Sequence, residues 1–226
     1  MDIELHYTER GSGEPLILLH GNGRSSAFFK NQIAALAARF RVLAVDTRGH
    51  GASPRGSAPF TLEQFAQDLR DFLDARGIGQ TNLLGCSDGG NIALLFALRQ
   101  PERVRKLVLD GANLRPSGMA LPLRLAVGAG YALASAAAPV SSLARAEKER
   151  LSLMAREPRI SEAELSRLSA PTLVLAGTRD VIRASHTRRI AAAIPGARLR
   201  FLPGGHGVAA ENAGAFNAAV LEFLAP

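Results

Sequence analysis

The chain is poor in cysteine and lysine and has no long run of strongly apolar residues. Cys86 is the single cysteine, so no disulfide can form within the chain. The fold must therefore be held by its core, which suits a reducing environment. The first residues also lack the basic and then apolar order of a signal peptide, and we expect a cytoplasmic protein.

Long blocks of like charge are also missing, although the net charge is +7. The positive charges are mostly scattered arginines, and such scatter predicts no nucleic-acid partner. The segment 119–138 is apolar, but it is rich in alanine and contains Pro122 and Arg124. A membrane-spanning helix needs about 20 strongly apolar residues, so we expect a buried or covering helix and no membrane partner.

Hydrophobic residues make up 47% of the 226 residues, enough for the core of one α/β domain. Short apolar runs alternate with helical patterns, which predicts a doubly wound, mostly parallel sheet. The predicted strands lie at 3–7, 16–19, 42–45, 82–84, 107–109, 172–176 and 199–202. The predicted helices lie at 25–38, 62–76, 90–99, 184–194 and 209–224.

One interval interrupts this alternation, because 113–169 separates two strands by more than an ordinary connection. Helical patterns occupy it at 119–138, 143–155 and 161–168. We predict a small helical cap at 114–169, inserted over the strand ends between a first core part at 1–113 and a second at 170–226.

The pentapeptide Gly85-Cys86-Ser87-Asp88-Gly89 follows a predicted strand and precedes a predicted helix. A serine on such a sharp turn presents its hydroxyl above the sheet and is a candidate nucleophile. The glycines two residues before and after Ser87 are explained if side chains there would collide with neighbouring backbone. Cys86 should point away from the site, as a small buried residue.

A serine hydroxyl needs a nearby base, and His206 is the candidate among five histidines. His206 lies between glycines after the last strand. The other histidines are assigned structural or solvated roles, with His186 on a surface helix. They are His6, His20, His50 and His186.

The base needs an acid that orients its ring, and Asp180 follows the strand at 172–176. The order Ser87, Asp180, His206 is typical of this arrangement. Asp110, at the end of the preceding strand, is the rival acid. Asp46 is interpreted as a structural residue that holds its loop.

Two backbone donors are needed for the oxyanion of an acyl-transfer intermediate. The N–H of Asp88 opens the helix after Ser87 and is one candidate. The loop His20-Gly21-Asn22-Gly23 follows the first buried strand, and the N–H of Asn22 is the other. Phe28 and Phe29 lie near that loop and are predicted to line the substrate pocket.

Taken together, these pieces resemble the α/β-hydrolase superfamily over essentially the whole chain. The matching pieces are His20–Gly23, Asp46–Gly51, Gly85–Gly90, Gly177–Asp180 and Gly205-His206. The resemblance implies an eight-stranded, mostly parallel sheet with the triad above it. The short N-terminus departs from this pattern, so the first antiparallel strand is expected to be shortened or missing.

Asp88 carries a finer resemblance, because Ser-Asp-Gly-Gly is similar to the turn of valacyclovirase-like α-amino-ester hydrolases. That resemblance implies recognition of a substrate ammonium group by Asp88. The alternative is that Asp88 only stabilises the N-terminus of a helix.

These observations predict a serine hydrolase that cleaves small carboxylic esters through an acyl-enzyme intermediate. Thioester, lactone, amide or carbon–carbon bond hydrolysis on the same triad stays open, as does a non-catalytic ligand receptor of the same fold. No metal-ligand spacing or phosphate-binding loop is present, so no cofactor or metal is expected. We expect a small-molecule substrate and a monomer or homodimer.

Overall fold

The computed structural model describes residues 2–225, and within them seven strands form one sheet. The order across the sheet is β1-β3-β2-β4-β5-β6-β7. All neighbours are parallel except β1, which pairs antiparallel with β3. The strands are β1 (Tyr7–Arg10), β2 (Pro15–Leu19), β3 (Arg41–Val45), β4 (Thr81–Cys86), β5 (Val104–Asp110), β6 (Thr172–Gly177) and β7 (Arg198–Leu202).

Nine α-helices lie in the same part of the chain. They are α1 (Lys30–Leu36), α2 (Leu62–Ala75), α3 (Asp88–Arg99), α4 (Leu121–Ala137), α5 (Ser142–Arg156), α6 (Glu162–Leu165), α7 (Ala184–Ala193), α8 (Val208–Glu211) and α9 (Ala213–Leu224). The predicted helix at 25–38 is a 3₁₀ turn, Ser26–Phe29, followed by α1. The predicted helix at 209–224 is divided into α8 and α9 at Asn212.

The core has two layers, one on each face of the sheet. Ile17 and Leu19 of β2 point into the layer beneath α2, α3 and α7, while Leu16 and Leu18 point into the layer beneath α1 and α9. Helices on both faces explain why the strands are apolar throughout. This arrangement confirms the predicted α/β fold with a doubly wound, mostly parallel sheet.

The N-terminal strand begins later than predicted, at Tyr7 rather than at residue 3. Ile3 and Leu5 are buried. β3 ends at Val45, the partner of Tyr7, and beyond it the Asp46 N–H donates to the His6 carbonyl at 2.9 Å before the Asp46 loop turns away from residues 3–5. The described residues therefore contain seven strands rather than the eight that the resemblance implied.

The segment between β5 and β6 is helical, as predicted, and contains α4, α5 and α6. Helix α5 reaches the strand-end loops, where Arg55 after β3 forms an ion pair with its Glu149 at 2.6 Å. Helix α4 packs mainly on α5 and leaves large apolar side chains in solvent, such as Leu125 at 62% and Leu133 at 73% exposure. Among residues 2–225, no helix combines the length and apolarity that crossing a membrane requires.

Candidate active site

Ser87 lies on a strained turn between β4 and α3. Its backbone angles are φ 55° and ψ −122°, and it is the one non-glycine residue with positive φ between residues 2 and 225. A Cβ on Gly85 would lie 2.2 Å from the carbonyl oxygen of Gly89, and a Cβ on Gly89 would lie 2.0 Å from that of Leu19. Both glycines are therefore required for the turn to close.

Three side chains from distant parts of the chain form a hydrogen-bonded series above this turn. His206 Nε2 lies 2.9 Å from Ser87 Oγ, and His206 Nδ1 lies 2.7 Å from Asp180 Oδ1. A neutral ring with its hydrogen on Nδ1 donates to Asp180 and accepts from Ser87. The structure thus brings together the residues predicted as nucleophile, base and acid.

The loops that carry Asp180 and His206 are fixed against each other. Gly177, at the end of β6, packs so closely that its Cβ would lie 2.1 Å from the carbonyl oxygen of Gly205. The Gly205 N–H donates to Glu211 at 2.7 Å, and the Ile182 N–H donates to Asp180 Oδ1 at 2.8 Å. These bonds hold both side chains in reach of Ser87. Sequence patterns did not indicate Glu211, because its role depends on the hydrogen bond that it accepts from the loop at Gly205.

The environment of His206 favours its protonated form. Burial lowers the pKa of the imidazole, but the hydrogen bond and charge of Asp180 and the charges of Asp110 and Asp88 outweigh it. The net result is a pKa above the ordinary histidine value. A base with this environment accepts the serine proton more readily during attack.

The two predicted oxyanion donors belong to Asp88, which follows Ser87, and to Asn22, which follows Gly21. Asp88 is the first residue of α3, so its N–H has no partner within the helix. Gly21 packs on the serine, since a Cβ there would lie 3.0 Å from Ser87 Cβ and 3.6 Å from Ser87 Oγ. Asn22 follows directly, and its side-chain amide donates to the carbonyl of Arg150 in α5 at 2.8 Å.

His20 supports the loop that carries Asn22. Its Nε2 accepts from the Thr47 N–H at 3.1 Å, which leaves Nδ1 to donate to the Gly21 carbonyl at 2.8 Å. Burial lowers the pKa of His20 to about 4, so the ring stays neutral at physiological pH. This position fits the structural role that the sequence predicted for His20.

His186 lies on the buried face of the surface helix α7, which makes its role structural rather than solvated. It is 5% exposed, and its Nε2 accepts from the Leu114 N–H at 3.0 Å. Burial lowers its pKa to about 4. The amphipathic pattern of α7 could not reveal this partner, which comes from the distant segment after β5.

The Asp88 carboxylate is buried beside Ser87, and its surroundings are polar. Asn91 Nδ2 donates to Asp88 Oδ1 at 3.3 Å, while Asp88 Oδ2 lacks a well-aligned donor in the described part of the chain. The side-chain oxygen of Asn22 is also buried without a partner there. Burial raises the pKa of Asp88 to about 6, although the Asn22 amide and the charge of His206 lower it.

Asp110 does not take the place of Asp180. It ends β5 beside β4, and its backbone carbonyl accepts from the Ser87 N–H at 2.7 Å. Its side chain makes no hydrogen bond to His206, and neither carboxylate oxygen accepts from an N–H or O–H group within residues 2–225. Cys86 is buried in the core layer that contains Leu16 and Leu18, and burial raises the pKa of its thiol.

The predicted pocket residues Phe28 and Phe29 are placed differently. Phe28 is half-buried and lines an open cavity of about 760 Å³ with Gly23 and Gly207, next to the candidate site. Phe29 is fully buried in the core layer with Leu16. Its side chain fills the core rather than an open pocket, which corrects the expectation for Phe29.

Asp46 holds the loop after β3. Its Oδ1 accepts from the Ser26 N–H at 2.6 Å and its Oδ2 from the Ala52 N–H at 2.9 Å.

Within residues 2–225, no group of three or more His, Cys, Asp or Glu side chains is arranged to hold a metal ion.

Comparison with known proteins gives consistent similarities. A protein of Variovorax paradoxus named as a carbamate hydrolase, RutD, is 33% identical over 99% of this chain and 97% of its own. A 2-hydroxy-6-oxononadienedioate/2-hydroxy-6-oxononatrienedioate hydrolase of Burkholderia vietnamiensis is 40% identical over 50% of this chain and 41% of its own. The crystal structure of the enol-lactonase from Burkholderia xenovorans LB400 superposes with a TM-score of 0.81 at 28% identity, covering 98% of this chain and 96% of that one.

A family model described as the alpha/beta hydrolase fold matches residues 14–153. This match includes the loop at 20–23, the serine turn and nearly all of the first two helices of the segment between β5 and β6. The chain belongs to the alpha/beta hydrolase fold family, and it is a hydrolase.

Proposed function

We propose that the chain is a serine hydrolase that cleaves small carboxylic esters through an acyl-enzyme intermediate. The observation that carries the proposal is the hydrogen-bonded series Ser87–His206–Asp180, with contacts of 2.9 and 2.7 Å. Ser87 attacks the ester carbonyl while His206 takes its proton, and Asp180 stabilises the imidazolium that forms. His206 then returns the proton to the leaving alcohol, and water hydrolyses the acyl-enzyme by the same route.

The backbone N–H groups of Asn22 and Asp88 bind the oxyanion in this proposal. Asp88 directly follows Ser87 and also supplies the positive end of α3. The helices of residues 114–169 act as the cap, which α5 ties to the loops after β2 and β3. Phe28 borders the open side of the pocket. The single cysteine supports a reducing, cytoplasmic setting.

Other bonds are candidates for the same site because relatives are named for them. The similar proteins are named as a carbamate hydrolase, a 2-hydroxy-6-oxononadienedioate/2-hydroxy-6-oxononatrienedioate hydrolase and an enol-lactonase. Each of these substrates contains a carbonyl that a serine can attack. The ester remains our proposal because the activated serine and two backbone donors are sufficient for it.

The first test is turnover of short p-nitrophenyl esters by the wild type, Ser87→Ala and an exposed-serine control, Ser166→Ala. We expect turnover by the wild type and the control, and a loss of at least about 1,000-fold in Ser87→Ala. A fluorophosphonate should add to Ser87 and be detected by mass spectrometry. Ligand binding without turnover or labelling would instead identify a receptor, and turnover of lactones or carbamates but not esters would reassign the substrate.

The Asp88 carboxylate supports a narrower substrate class, esters that carry an ammonium group near the carbonyl. Asp88 Oδ2 and Asn22 Oδ1 are buried acceptors that lack a well-aligned donor in residues 2–225, although the Asn22 amide lies near enough to Asp88 to lower its pKa. Buried acceptors without donors are unfavourable, so a substrate that brings N–H donors would satisfy them. A carboxylate here also attracts a cation.

An α-amino ester should therefore be cleaved faster than its analogue without the amino group. The advantage should grow as the pH rises through about 6, because Asp88 must be ionised to attract the cation. Asp88→Asn should remove the advantage while it changes turnover of the amine-free ester much less. An equal loss on both substrates would contradict ammonium recognition and leave Asp88 as a residue of the helix N-terminus.

A further inference from the structure

Asp110 is a buried carboxylate that the proposed mechanism does not use. It is 1% exposed, and neither of its oxygens accepts from an N–H or O–H group among residues 2–225, although the weakly donating Cys86 thiol lies beside it. Leaving a carboxylate in this state is costly, and a leucine or alanine would fill the same space at the end of β5 without that cost. Its position next to the site offers a physical reason for its presence.

The backbone at Asp110 lies between the serine and the acid–base pair. The Ser87 N–H donates to the Asp110 carbonyl at 2.7 Å. The next residue, Gly111, touches both other members, because a Cβ there would lie 2.9 Å from His206 Cε1 and 3.1 Å from Asp180 Oδ2. Asp110 therefore ends its strand at the centre of the Ser87–His206–Asp180 series.

Both ring nitrogens of His206 already have partners, Ser87 and Asp180. Asp110 can consequently act on His206 only through space. On the basis of the proposed function, we propose that Asp110 is a positioning residue whose negative charge stabilises the His206 imidazolium as a further carboxylate behind Asp180. The charge that develops on His206 during attack is then balanced by Asp110 as well as by Asp180 and Asp88.

The electrostatic surroundings are consistent with this coupling. Burial raises the pKa of Asp110 to about 7, while the Cys86 thiol and the charge of His206 lower it and Asp180 raises it. Three carboxylates act on the charge of His206: Asp180 in the loop after β6, Asp88 in α3 and Asp110 at the end of β5. A fourth, Glu211 of α8, accepts a hydrogen bond from the N–H of Gly205, next to His206. Asp110 and His206 thus influence each other's titration.

The test is a titration of the His206 imidazole by NMR in the wild type and in Asp110→Asn. Removing the Asp110 charge should lower the His206 pKa by about one unit. Asp110→Glu, which keeps the charge, should stay near the wild-type value. Glu102→Gln removes an exposed carboxylate far from the site and should change nothing, because solvent and salt screen it. An unchanged His206 pKa in Asp110→Asn would overturn the proposal.

The pH dependence of kcat/KM tests the same lowering of the His206 pKa. Activity needs neutral His206, so a lower pKa moves the acidic limb of kcat/KM to lower pH. The plateau should fall about tenfold, because one pKa unit corresponds to a factor of ten. A residue that only fills the core would lower the plateau, or stability, without moving the limb.

Two further outcomes are informative. If Asp110→Asn does not fold, the His206 titration in Asp88→Asn still decides the question, because with the Asp88 charge removed, coupling to Asp110 requires a curve broader than that of one proton. A simple one-proton curve would count against the proposal. If the wild type hydrolyses no ester, the proposed function fails, while the NMR titration still tests the coupling itself.

Discussion

At the scale of single residues, the candidate site depends on positions where a methyl group cannot fit. Gly85 and Gly89 are packed against backbone carbonyls on either side of Ser87. Backbone oxygens cannot move aside as a flexible side chain can. The strain at Ser87 is therefore maintained by its neighbours and not by the serine itself.

Replacing Gly89 by alanine should displace the turn and impair both activity and stability. We expect kcat/KM to fall at least about 100-fold, because small displacements of a reacting group have effects of that size. The free energy of unfolding should fall by about 1 to 3 kcal/mol from overpacking. Gly79→Ala is the control, since a Cβ there meets nothing within 4 Å. Equal behaviour of the two variants in urea unfolding and ester turnover would refute this account.

The two aspartates near His206 should differ sharply when they are changed to asparagine. Asp180→Asn replaces the carboxylate by a neutral amide, which can donate to Nδ1 and fix the wrong tautomer of His206, and should lower kcat by about 10⁴-fold. Asp110→Asn removes only a charge that acts through space and should lower it about tenfold. Steady-state kinetics at pH 8 provides the comparison. A larger loss in Asp110→Asn than in Asp180→Asn would reverse the assignment of the acid.

The sequence predicted the residues of the site better than it predicted their supports. Ser87, Asp180 and His206 follow strand ends, and parallel strand ends meet at one edge, so local patterns locate them. The partners of Glu211 and His186 are defined by loops from other parts of the chain. Phe29 was misplaced because proximity to a loop in sequence does not show which way a side chain points.

At the scale of elements, a buried ion pair joins the loop after β3 to α2. Arg48 and Asp68 have side-chain exposures of 0% and 1%, and Arg48 Nη2 lies 2.7 Å from Asp68 Oδ1. Arg48 also contacts Asp2 at 2.6 Å. The pair raises the pKa of the Arg48 guanidinium, so the charge is permanent. The N-terminal residues, the loop and the helix are thus held at one point.

Removing one partner of this pair should be severely destabilising. Asp68→Ala leaves the Arg48 charge buried and should lower the free energy of unfolding by about 3 to 5 kcal/mol. Glu222→Ala removes the partner of Arg200 in an exposed pair at 2.9 Å and should change it by about 1 kcal/mol or less. Chemical denaturation of both variants measures the difference. Similar losses in the two variants would contradict the importance assigned to burial.

The sequence predicted which elements exist more reliably than where they begin and end. Strands buried on both faces stand out as short apolar runs, as at Leu16–Leu19. The ends of elements depend on partners instead, and β1 begins at Tyr7 because β3 ends at Val45 and the Asp46 loop then turns away from residues 3–5. The break between α8 and α9 at Asn212 also escaped prediction, because apolar residues continue on both sides.

At the scale of the whole molecule, two buried acids make stability depend on pH. Burial raises the pKa of Asp110 to about 7 and that of Asp88 to about 6, from an ordinary value of 3.8. The folded state therefore keeps protons that the unfolded chain loses. The resulting stabilisation is complete below about pH 4 and is lost as the pH rises through 6 and 7.

Asp110→Asn should therefore lose less stability than the wild type between pH 5 and pH 8. Asparagine cannot ionise, so its contribution is constant, whereas each buried acid gives a slope of up to about 1.4 kcal/mol per pH unit. Urea unfolding at several pH values measures both curves. Parallel curves would show that Asp110 has no raised pKa in the folded protein.

The bond between the Asn22 amide and the Arg150 carbonyl has a consequence for the rate of the reaction. The bond joins the loop at 20–23 to the backbone of α5, so a displacement of α5 is transmitted to that loop. Gly21 of the same loop packs on Ser87, and substitutions in α5 are therefore expected to alter the surroundings and the reaction rate of the serine.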